Sequence, residues 1–126
     1  MAENKKTVLA IDDNPQQLQE FKLFLVPKYD LRVVKSASEA IHFLNENTVD
    51  VILLDILMPN IDGFEFLSDI RKISGYTAVP VIIVSGDAEE GFQDRARNSG
   101  AADILSKPVQ QDKLIISIEK ALSAGT

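Results

Sequence analysis

Short apolar runs alternate along the chain with longer stretches whose apolar residues recur every three or four positions. The short runs are Val8 to Ile11, Leu31 to Val34, Val51 to Leu54, Val81 to Val84 and Ala101 to Leu105. Val51 to Leu54 is too short for a globular helix, and its two β-branched residues suit a strand covered on both faces. Between the runs lie helix signals. Asn14-Pro15 joins a good N-cap to a residue suited to the first helical position, and Leu18, Phe21 and Leu25 follow before Pro27 stops the segment. Ser36 with Glu39 makes a capping box for a second helix with Ala40, Ile41 and Leu44 inward. Asp62-Gly63 with Glu65 opens a third carrying Phe64, Leu67 and Ile70, and Asp87 with Glu90 opens a fourth. That fourth helix has only Phe92 and Ala96 as clear apolar anchors and contains Gly91, so it is expected to dock least firmly. The last packs Leu114, Ile118 and Leu122, with Ile115 at its border.

Five strand–helix alternations predict an α/β domain: parallel strands, right-handed crossovers and helices on both faces of one sheet. At 126 residues the chain is expected to be a single domain, spanning residues 1–126, with no repeat or internal linker. Composition adds exclusions. With 13 Lys and Arg against 19 Asp and Glu, and no basic run longer than Lys5-Lys6, binding to a nucleic-acid backbone is not expected. Absence of Cys removes disulfides, thiolate metal sites and cysteine nucleophiles, and fits a cytoplasmic setting. The apolar start Val8 to Ile11 is shorter than a signal-peptide core, and no run is long enough for membrane insertion.

In doubly wound sheets ligands bind beyond the carboxyl ends of the strands. Those ends carry Asp12 and Asp13, then Asp55, then Ser85 and Gly86, then Lys107. Three clustered carboxylates raise one another's pKa unless a cation sits among them. All-oxygen donors favour a hard ion, and a shallow site that keeps waters favours Mg2+ over Ca2+. A carboxylate beside such an ion can attack a phosphoryl group and form an aspartyl phosphate. Lysine and metal would neutralise the phosphoryl oxygens, the Ser85 hydroxyl could hydrogen-bond the bound group, and Gly86 leaves its N–H open to approach.

With Asp12-Asp13 after the first strand, Asp55 followed by Met58-Pro59 and Asp62-Gly63, Ser85 after the fourth and Lys107-Pro108 after the fifth, the chain resembles a receiver domain of a two-component response regulator. It is similar to the single-domain chemotaxis regulators, and the match runs from about Thr7 to Leu122. The resemblance implies a flavodoxin-like sheet of strand order 2-1-3-4-5 with five helices. It implies that Asp55 is the phosphoacceptor, that Asp13 and Asp55 ligate Mg2+ directly, and that Asp12 assists through water while the Leu57 carbonyl completes the protein's share. It further implies that Ser85 turns toward the phosphoryl group, that Lys107 binds it, and that the bond to Pro108 is cis. The donor in that family is a phosphohistidine of a sensor histidine kinase or histidine phosphotransfer protein. Phosphorylation is expected to draw Ser85 and the fourth helix inward and to alter binding of a downstream protein at the fourth helix, fifth strand and fifth helix.

One position departs from the family. Three residues before the lysine, where Tyr or Phe is usual, stands Ile104. It could pack inward permanently, join Ile116 in an apolar partner surface, or simply be a β-branched residue suited to a strand. Two other function classes fit these residues less well. A phosphatase of the haloacid dehalogenase type wants Asp-x-Asp after its first strand, where this chain has Asp12-Asp13-Asn14, and Asp55-Ile56-Leu57 lacks the second Asp too. A phosphorylation-independent interaction module would not need the acidic trio, Ser85 and Lys107 together. His42 reads as a surface or border residue, Lys5-Lys6 as a solvated terminus, Met58 as gap-filling, and the Asp62 and Asp87 caps as structural.

Overall fold

The computed structural model describes residues 5–86 and 92–124. In chain order the elements are β1 (Thr7–Ile11), α1 (Pro15–Leu25), β2 (Asp30–Val34), α2 (Ala37–Glu46), β3 (Val51–Asp55), α3 (Gly63–Arg71), β4 (Val81–Ser85), α4 (Phe92–Asn98), β5 (Asp103–Ser106) and α5 (Gln111–Ala124). The strands form one parallel sheet in the order β2-β1-β3-β4-β5. The flavodoxin-like, doubly wound α/β fold expected from the alternation is therefore the fold found. No helix among the described residues is long and apolar enough to cross a membrane.

Alternation along the strands splits the core. Leu9, Ile11, Ile52, Leu54, Val81 and Ile83 face α2, α3 and α4. Val8, Ala10, Val51, Leu53, Ile82 and Val84 face α1 and α5. Every residue of β3 and β4 is buried, because helices cover both sides. The edge strands β2 and β5 are only partly buried.

Local signals account for most boundaries. The Asn14 side chain accepts from the Gln16 N–H at 2.9 Å, and Ser36 accepts from the Glu39 N–H at 3.1 Å. Asp62 accepts from the Phe64 N–H at 2.9 Å and the Glu65 N–H at 3.4 Å, so α3 starts where its cap predicts. The expected opening of the fourth helix at Asp87, Glu90 and Gly91 lies outside the described residues.

Three packing details differ from expectation. On α3 the inward set is Gly63, Phe66, Leu67 and Ile70, while Phe64 is half-buried and turns toward α4, its ring 5.8 Å from that of Phe92. On α5 Ser117 and Ala121 join Leu114 and Ile118 inside, leaving Leu122 half-buried. The buried Ser117 is tolerable because its hydroxyl donates to Asp103 Oδ2 at 2.6 Å. The fifth strand also starts at Asp103 rather than Ala101, although the Ala102 N–H still donates to the Val81 carbonyl at 2.8 Å.

Candidate functional site

Among the described residues four polar side chains are buried, and three of them, Asp12, Asp55 and Ser85, stand together at the carboxyl rim of the sheet. Parallel pairing puts them there. The last residue of β3, Asp55, is in register with Val84, and the last of β4, Ser85, with Ser106. The Lys107 N–H donates to the Ser85 carbonyl at 3.0 Å, which brings the lysine one step beyond the end of β5. Its peptide bond to Pro108 is cis.

Lys107 Nζ lies 2.9 Å from Asp12 Oδ2 and 3.4 Å from Asp55 Oδ2. The remaining oxygens are also engaged: Asp12 Oδ1 accepts from the Asn14 N–H at 2.9 Å, and Asp55 Oδ1 from the Leu57 N–H at 3.0 Å. Asp13 projects to the exposed side of the group. Carboxylate oxygens of Asp12, Asp13 and Asp55 all lie within 4.8 Å of one another.

Electrostatics follow from this crowding. Burial pushes the Asp55 carboxyl above its ordinary pKa; the Leu57 N–H and Lys107 pull it down, and the Asp12 charge pushes it up further. For Lys107 burial acts downward, but the hydrogen bond to Asp12 and the charges of Asp55 and Asp12 outweigh it and raise the pKa. One ammonium thus faces three carboxylates, and net negative charge remains. The donor set, all oxygen with one exposed member, fits a hard divalent cation of the Mg2+ class.

The loop after Asp55 is held from below. Ile56 and Met58 are buried in the core between the sheet and α3, while Leu57 between them is half exposed and its N–H donates to Asp55 at the rim. Gly63 presses on this loop: a Cβ there would lie 2.6 Å from both the Cα and the carbonyl oxygen of Ile56. In the sequence Gly63 stands out as part of a helix cap and of the Asp62-Gly63 motif, and its steric role has no local signal beyond that pair. Around Gly86 there is space, the nearest atom to an added Cβ being Lys107 Cβ at 3.9 Å. Ile104, paired with Ile83, is half-buried against the α3–α4 side of the core, while Ile116 is exposed on α5.

Exposed His42 stands on α2, outside this group. No local pattern in the sequence marks Arg95, a charged residue between the apolar anchors of α4. It donates to Asp62 Oδ2 at 2.7 Å and lies over the Phe64 ring at 4.5 Å.

A doubly wound parallel sheet with its polar side chains gathered at the carboxyl rim defines the flavodoxin-like class of α/β domains. Within that class, this chain belongs to the response regulator receiver domain family, whose model matches residues 8–119. It is 30% identical to Protein PilH of Pseudomonas aeruginosa, over 92% of this chain and 97% of that one. A CheY-like receiver domain protein from Methanospirillum hungatei has the same fold, with a TM-score of 0.86 and 25% identity over 96% of each chain. So does the receiver domain of a Pseudomonas aeruginosa sensor histidine kinase, solved with a magnesium ion coordinated in its active-site cleft (TM-score 0.85, 23% identity, 94% of this chain and 98% of that one). Of several other curated relatives the chain spans about half the length or less.

Proposed function

We propose that this chain, acting as one unit over residues 1–126, is a phosphorylation-controlled switch whose acceptor is Asp55. The observation that carries the reading is the convergence of Asp12, Asp13, Asp55 and Lys107, with carboxylate oxygens within 4.8 Å and the ammonium between two of them. Asp13, Asp55 and the Leu57 carbonyl would hold Mg2+ directly and Asp12 through water. When bound, Mg2+ supplies charge that lets the carboxylates coexist and offsets the charge of the incoming phosphoryl oxygens.

The chain's own groups do the rest. An Asp55 carboxylate oxygen attacks the phosphorus of a phosphohistidine on a sensor histidine kinase or histidine phosphotransfer protein. The P–O bond forms as the P–N bond breaks, and the imidazole nitrogen keeps the electron pair and takes up a proton. Lys107 transfers its hydrogen bond from Asp55 to a phosphoryl oxygen, Ser85 donates its hydroxyl to another, and the Gly86 N–H lines the open side. Nothing in this needs turnover of a separate substrate, so the domain acts as a switch rather than an enzyme. The exchange belongs to the cytoplasm, where ATP charges such kinases. Binding of a downstream protein then changes at the surface of α4, β5 and α5.

Incubation with acetyl phosphate and Mg2+ should give a single labelled species that Asp55→Asn does not form. Undiminished labelling of that variant, or steady hydrolysis of p-nitrophenyl phosphate by the unmodified protein, would sink the reading.

A further inference from the structure

The loop that carries Leu57 is connected to α4 by a continuous set of contacts. Arg95 Nη2 donates to Asp62 Oδ2 at 2.7 Å, and its guanidinium covers the Phe64 ring at 4.5 Å. Phe64 in turn meets Phe92 at 5.8 Å, so α4 grips the first turn of α3 by charge and by aromatic contact together. The other oxygen of Asp62 caps that turn through the N–H groups of Phe64 and Glu65. The next residue, Gly63, abuts the backbone of Ile56, and Ile56 is bonded to both Asp55 and Leu57. A shift of the α3 start is therefore a shift of the Leu57 N–H relative to Asp55 Oδ1.

We propose that Arg95 is a positioning residue: from α4 it fixes the start of α3, and through Gly63 and Ile56 it holds the Leu57 N–H on Asp55. An exposed ion pair alone contributes little. Here the same guanidinium also stacks on a ring, and its carboxylate partner is already immobilised as a helix cap, which lowers the entropic cost of the contact. By contrast Arg97 pairs with Asp94 within α4 itself. The positioning stands on geometry; only its effect on labelling rests on Asp55 being the acceptor.

Amide hydrogen exchange read by NMR tests it in the free protein. Arg95→Ala should speed exchange of the Leu57 amide about three- to tenfold while leaving that of Leu53, inside β3, unchanged. Arg95→Lys, which keeps the charge but loses the planar stacking, should fall between Ala and the native residue. Arg97→Ala should alter neither amide. Labelling by acetyl phosphate with Mg2+ should slow in Arg95→Ala by a similar factor. An unchanged Leu57 amide overturns the proposal, even if the variant melts at a lower temperature or the native protein labels normally. A faster Leu57 amide in a protein that takes no label leaves the positioning standing and overturns the acceptor reading instead.

Discussion

At the carboxyl rim of the sheet three carboxylates crowd within 4.8 Å and a single lysine bridges two of them. At the amino rim several neutral carbonyls are met by side-chain donors. Arg71 donates to the carbonyls of Tyr76 (3.3 Å), Val79 and Gly100 (3.4 Å), tying the end of α3 to the approaches of β4 and β5. The Tyr76 hydroxyl donates to the Asn47 carbonyl, and Asp50 Oδ2 accepts from the Thr7 N–H at 2.7 Å. Matched donors and acceptors stabilise the amino rim without leaving reactive capacity. The carboxyl rim keeps like charges together, which costs stability but leaves oxygens able to take a cation and an electrophile. The fold closes one rim with matched polar groups and concentrates like charge at the other.

Exchanging small features between the rims should expose this division. The largest effect is expected from Gly63→Ala. Its methyl would sit 2.6 Å from the Ile56 backbone, so the loop after Asp55 must move. A loss of about 2–3 kcal/mol in urea unfolding is expected, together with at least tenfold slower acetyl phosphate labelling. Native-like labelling in that variant would show that loop position does not matter.

Arg71→Met comes next. It orphans carbonyls at the amino rim and should cost about 1–2 kcal/mol, yet change labelling by less than about twofold. A large labelling defect would mean the two rims are not separable.

The smallest effect belongs to Tyr29, whose buried hydroxyl donates to Glu119 and joins the loop after α1 to α5. Burial, then the hydrogen bond to Glu119 and its charge, raise its pKa. The unfolded chain therefore releases this proton from about pH 10 while the native state retains it, so stability present below that pH falls as pH rises beyond it. Tyr29→Phe should cost about 1 kcal/mol at neutral pH and flatten the alkaline decline in thermal melting. An unchanged alkaline slope would assign it to other groups.

Much of the fold was legible because it rests on local codes. Asn14, Ser36 and Asp62 cap the helices they were expected to cap, and four of the five strands fall within a residue of their apolar runs. Ala101-Ala102 misled because two alanines before a strand carry no periodicity. Phe66 displaced Phe64 from the core because both fit a helical stripe, and only the position of α4 decides which one turns inward. The candidate site was legible for a different reason: in a parallel sheet every strand end arrives at the same rim, so Asp12, Asp13, Asp55, Ser85 and Lys107 needed no further information to be grouped.

By itself, then, the sequence determined the alternation, the caps and the chemistry delivered to each strand end, since each depends on neighbours within a few residues. Only the tertiary structure decided that Gly63 bears on Ile56, that Arg95 reaches Asp62 across two helices, and that Arg71 collects three carbonyls from two loops. Those contacts join residues 5 to 33 positions apart, and no pattern along the chain encodes a distance across it.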